Sequence, residues 1–174
     1  MGKDLDRPVW RGQRPWFEIW FAVVLDESRR RALWIRQTMF VPRSGAARAT
    51  VWGAWFDADA SPPSVAAKRF APLDVAVVDE GESLIRTFDS RLSRTAAVGA
   101  VDGIAWDVAW KGGRQENDDL PAWLPAPTHS RQIVHDAEAI GKVTLGEHVI
   151  DIKGRALAMT CGASAACRHC TGSG

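Results

Sequence analysis

Residues 16–42 read WFEIWFAVVLDESRRRALWIRQTMFVP. Two runs of aromatic and β-branched residues flank a polar segment, 26–31, and Pro42 closes the second run. Such residues suit a pleated surface and the charged segment suits a turn, so the stretch reads as a β-hairpin. Both runs are continuously hydrophobic rather than alternating. That predicts strands buried on both faces, one against a barrel interior or sandwich core and the other beneath a further layer. Side chains alternate along a strand, so Trp16, Glu18 and Trp20 share one face, and Trp34, Arg36, Thr38 and Phe40 share one face of the returning strand. A carboxylate between two indoles and a guanidinium beyond a third are costly in a buried strand unless they pair or bind something. Two readings follow: a Glu18–Arg36 ion pair that pins the hairpin register, or polar contacts inside an apolar pocket.

The same texture continues outward from the hairpin. A polar link, 43–48, leads to ATVWGAWFDAD and a third strand centred on 51–56, where Gly53 marks a bulge or the close approach of another group. After the pair Pro62–Pro63, residues 66–70 suit a helical turn or the start of a strand. Further strands are expected over 74–78, 83–88, 94–98 and 103–110, the last with strict alternation of Ile104, Trp106, Val108 and Trp110. The polar, proline-rich segment 111–130 is expected to be a loop. Residues 140–145 and 148–152 form a predicted hairpin through Gly146 and Glu147, while 134–140 has weak helix-like spacing. Short strands about ten residues apart, with turn residues between them and no internal repeat, predict an all-β, antiparallel barrel or sandwich.

Composition bounds the function. A chain of 174 residues can bury the core of one domain. The charge is balanced, 22 basic against 21 acidic residues, so the whole-chain charge argues for neither nucleic acid nor an anionic membrane as a general partner. Nine Trp and six Phe without a Tyr concentrate in the strand-like runs and suit a ligand wall or a core. The N-terminus has no apolar signal-like stretch, and the longest apolar run is far below the roughly 18 residues of a membrane helix. The default location is therefore cytoplasmic, without an integral membrane segment. Cys161, Cys167, His169 and Cys170 are soft ligands, but they lack the two separated pairs that wrap a zinc ion, so no metal is assigned. His129, His135 and His148 have no Ser or Asp partner that would suggest a triad. From Arg155 the chain turns to small residues without an apolar period, which predicts a β domain over 1–155 and a disordered tail over 156–174. An abrupt change of this kind is also what a truncated or frameshifted reading frame produces.

The hairpin followed by ATVWGAWFD resembles the opening of the carotenoid 1,2-hydratase (hydroxyneurosporene synthase) and AttH-like superfamily. Its members begin with an aromatic–aromatic–Glu–x–Trp strand, a return ending in Ala-Leu-Trp-hydrophobic-Arg, and a strand like x-Trp-x-x-Phe-Phe-Asp. The likeness spans residues 14–58, and GKVTLGEHVIDIKGRA, residues 141–156, is similar to a hairpin of the family. The resemblance implies a lipocalin-like fold, with this chain as the N-terminal half of a two-barrel architecture. It also implies large apolar substrates and cofactor-free hydration or cyclisation of polyenes. The family's later Trp-Gly, Arg, Trp and His positions have no counterpart after Arg155.

The resulting expectation is a large hydrophobic molecule, polyene or isoprenoid-like, in a cavity walled by Trp16, Trp20, Trp34, Arg36, Trp52, Phe56 and Trp106. Asp107 alternates away from Trp106 and Trp110, so Glu18 is the carboxylic acid assigned to protonating a double bond. Whether the chain catalyses is left open, and no cofactor is assigned. The alternative is a non-catalytic β domain that pairs with a second β domain or dimer partner, or a truncated inactive fragment.

Overall fold

The computed structural model describes Trp10 and residues 12–73, 83–114 and 128–164. The strands are β1 (Trp16–Asp26), β2 (Arg31–Val41), β3 (Arg48–Asp57), β4 (Ser64–Pro72), β5 (Ser83–Thr87), β6 (Ser90–Ser93), β7 (Ala96–Val101), β8 (Ile104–Lys111), β9 (Thr128–Leu145) and β10 (His148–Ser164). They form one antiparallel sheet in the order β4-β3-β2-β1-β10-β9-β8-β7-β6-β5. The fold is all-β and lipocalin-like, as expected: a curled half-barrel.

Turn chemistry sets each hairpin. Between β1 and β2 the Asp26 carboxylate accepts from the Ser28 hydroxyl at 2.7 Å and the Arg29 N–H at 3.2 Å, and Arg30 takes φ +53°. Burial pushes the Asp26 carboxyl up, but these bonds and one from the Lys153 backbone outweigh it, so it lies below the usual carboxylate range. Asp102-Gly103, both at positive φ, join β7 to β8 as a two-residue turn, and Gly146 does the same for β9–β10.

The curl brings distant strands together. Gln37 of β2 reaches Ser90 of β6. Gly53 of β3 faces Trp106 of β8 so closely that a Cβ there would stand 2.7 Å from the indole. The ladder beside Gly53 is regular, so of the two readings of this glycine the close approach is the right one. Arg69 of β4 lies 4.3 Å from the Phe88 ring centroid, joining the two ends of the sheet. The interior is filled by Trp20, Leu33, Ile35, Trp55, Leu84, Ile85, Leu92, Ile104, Trp106, Ile133 and Ile152, each buried.

Several expectations need correction. The final hairpin is much longer than 140–152: β9 and β10 have 18 and 17 residues, and the helix-like spacing at 134–140 belongs to a strand. Residues 156–164, expected in a disordered tail, continue β10 beside β1, with Ala156, Ala158 and Thr160 buried. Their side chains are small because Val24, Ala22 and Trp20 stand directly opposite and occupy the interior. Of the two readings of residues 66–70 the strand is the right one, while the short polar β6 was not foreseen. The outer faces of β1 and β2 are not beneath another layer of described residues; apart from the buried Thr38 they are half-buried or exposed, and they alternate with an inner face that is buried except at Trp16 and Arg31. The expected strand at 74–78, and Cys167, His169 and Cys170, lie outside the described residues.

Candidate functional site

Register decides which side chains meet. The four residues between β1 and β2 pair Asp26 with Arg31, and this sets Glu18 opposite Met39, Trp20 opposite Gln37, and Phe21 opposite Arg36. An even-numbered residue of β1 therefore shares its face with an odd-numbered residue of β2. Glu18 points inward and Arg36 outward, so the anticipated Glu18–Arg36 ion pair does not form.

The predicted wall residues divide into two groups. Trp16, Glu18, Trp20 and Trp106 lie on the inner face, where Glu18 and Trp20 are fully buried and Trp106 nearly so. Trp34, Arg36, Trp52 and Phe56 lie together on the outer face. Arg36 is opposite Trp52 across β2–β3, the Trp34 and Trp52 rings are 6.4 Å apart, and Phe56 is 45% exposed. Burial draws the Arg36 guanidinium below its ordinary value, and neighbouring Cys161 draws it the other way.

Inside the half-barrel, Gln37, Trp20 and Thr160 stand in one row across β2, β1 and β10. Glu18 stands in the next row, with Met39 on one side and Gly162, which adds no side chain, on the other. Gln37 donates through Nε2 to the Ser90 hydroxyl at 3.3 Å. Gly99 permits this, because a Cβ there would fall 2.6 Å from the Ser90 Cα. Gln37 Oε1, Thr160 Oγ1, Thr87 Oγ1, Trp16 Nε1 and Trp106 Nε1 are buried without a hydrogen-bond partner among the described residues. Each such group costs on the order of 1–3 kcal/mol unless water or a ligand satisfies it. Together they offer neutral donors and acceptors within an aromatic wall, beside one carboxyl group.

Gln37 and Thr160 were missed from the sequence. The one available signal was an uncharged amide amid a hydrophobic run, and its face depended on the hairpin register. An open cleft of about 810 Å³ lies elsewhere, outside β8–β10, lined by Lys111, Glu138, Ile140, Lys153 and Arg155, and includes none of the predicted residues. Among the described residues no three His, Cys, Asp or Glu side chains gather as metal ligands, and no helix is long and apolar enough to cross a membrane.

No family model matches the chain. An uncharacterized protein of Mycobacterium tuberculosis, found in two strains, is 26% identical over 155 residues, covering 83% of this chain and 44% of its own length. The chain thus spans less than half of the curated relatives it matches. Among solved structures, an AttH candidate from Nitrosomonas europaea superposes with a TM-score of 0.62 at 10% identity, over 85% of this chain and 51% of that one. Kievitone hydratase from Nectria haematococca follows at a TM-score of 0.46 and 10% identity, over 85% and 48%, a likeness too distant to weigh. The AttH structure shares the lipocalin-like fold with this chain.

Proposed function

We propose that the chain holds a large apolar molecule, of the polyene or isoprenoid class, against the inner wall of the half-barrel, as the first of two β units. A hydroxyl or carbonyl of that molecule would engage the Gln37–Thr160 row. The observation that carries this reading is that Gln37 Oε1, Thr160 Oγ1, Trp16 Nε1 and Trp106 Nε1 on the inner face are buried without a hydrogen-bond partner among the described residues. An uncharged oxygen suits them, since an amide oxygen needs a donor, indole N–H groups need acceptors, and hydroxyls can be either. The lipocalin-like fold supports the reading by supplying a concave wall.

Glu18 gives this site its chemistry. As a carboxylic acid it would protonate a double bond: its O–H breaks, a C–H bond forms, and the carbocation left behind rests against indole faces. Addition of water then forms the C–O bond and returns a proton to the carboxylate, so hydration is balanced without a cofactor. Attack by a second double bond of the same molecule would instead form a C–C bond and close a ring, and the new cation would then lose a proton to the Glu18 carboxylate, leaving an alkene and restoring the acid.

Titration with retinol, a conjugated polyene alcohol, tests the site. It should quench Trp emission, and Gln37→Leu and Thr160→Val should each weaken binding about two- to tenfold. Glu18→Gln should retain the quench and lose any conversion of the ligand. A quench of equal strength in the wild type, Gln37→Leu, Thr160→Val and Trp106→Phe proteins would place the ligand elsewhere.

A further inference from the structure

We propose that the outer face of β1–β4 is a docking surface for an anionic lipid membrane. The outward positions are set by the ladders: Phe17, Phe21, Trp34, Phe40, Trp52, Phe56 and Phe70 supply its aromatic rings. Phe40, Phe56 and Phe70 are 36%, 45% and 51% exposed. The same outward positions carry three cations, Arg36, Arg48 and Lys68, and no carboxylate. Among the described residues no carboxylate pairs with any of the three cations, and the thiol of Cys161 lies near Arg36 alone.

The cations are interleaved with the rings. The Arg48 guanidinium stands 5.1 Å from the Phe40 centroid and 5.7 Å from that of Phe70, and the Lys68 ammonium 4.8 Å from Trp52 and 5.5 Å from Phe70. Aliphatic stems over aromatic rings keep positive charge at the height of the rings, where lipid phosphates lie when aromatic side chains enter the headgroup zone. Charge complementarity chooses this occupant. A second copy docked on the same face through a two-fold axis would set the uncompensated cations against one another. The whole-chain charge of +1 conceals the patch because the acids lie elsewhere.

Nothing need occupy the half-barrel for this, so the experiment uses vesicles free of any polyene. The whole chain should float with vesicles containing about one third phosphatidylglycerol and not with pure phosphatidylcholine. Brominated lipid should quench the emission of the wild type, and Trp34→Phe/Trp52→Phe should lose that quench. Arg48→Ala/Lys68→Ala should weaken partitioning about 25-fold, at roughly fivefold for each cation. Lys142→Ala/Lys153→Ala, which removes two cations from the outer face of β9 and β10, should leave it unchanged. Three results overturn the proposal: no flotation with anionic vesicles, equal loss in both double variants, or a dimer in sedimentation that Trp34→Ser dissociates.

Discussion

The outer face of β1–β4 and the outer face of β8–β9 belong to one sheet, yet they are opposites. On β8 and β9, Asp107, Lys111, Glu138 and Lys142 alternate with the buried Trp106, Val108, Trp110, Ala139 and Val143. That face meets water in the ordinary way. On β1–β4 the outward positions are aromatic, aliphatic, hydroxyl-bearing or cationic, although most inward positions of β1–β3 are as well buried as in the other half. Continuous hydrophobicity in these strands therefore records two apolar surfaces with different purposes, of which only the inner one is the core.

Substitutions can break this contrast, the greatest effect coming from inside. Trp20→Ala should cost about 3–5 kcal/mol in urea unfolding, because it empties the centre of the packed interior. Its outward neighbour Phe21→Ala should cost only about 1 kcal/mol, and equal losses would mean that the outer face is core as well. Gly53→Val tests the curl itself. It drives side-chain atoms into Trp106 and Val101 across the half-barrel and should cost about 1–3 kcal/mol, with a shift in Trp emission.

A smaller effect is expected at the β1–β2 turn, which joins the two faces. The carboxyl of Asp26 is held below its unfolded value, so its contribution to stability is present above the unfolded value and is lost as pH falls through the folded one. Asp26→Ala should cost about 1 kcal/mol at neutral pH and flatten the acid limb of the stability profile. An unchanged acid limb would show that other carboxyl groups set it. The smallest effect belongs to the charged outer face: Ile140→Lys, at a position 62% exposed, should alter stability by less than about 0.5 kcal/mol. A larger loss would mean that this face too is covered.

Much of this was legible. The hairpin, the third strand, the alternation of β8 and the placement of Glu18 beside Trp16 and Trp20 follow from residue preferences and strand parity. The pairing of Glu18 was not legible, because a change of one residue in the turn reverses which side chains of β2 face it. The strand after Arg155 was hidden by its small residues, which read as a tail by hydropathy and as a tight fit once Trp20 and Val24 stand opposite. β6 is polar and only four residues long, so no periodicity announces it.

An antiparallel β protein with tryptophan on both faces of its first strands follows from residue order alone, since side-chain alternation and turn chemistry act over a few neighbouring residues. Which face became interior, the sealing of β10 against β1, and the meeting of Gln37, Thr160 and Ser90 with Glu18 on the inner wall came from long-range pairing. Those outcomes depend on register and curl, which are set by contacts such as Gly53 with Trp106 between residues far apart in the chain. The same curl turned Trp34, Arg36 and Trp52 outward and separated them from the carboxyl group they were expected to join.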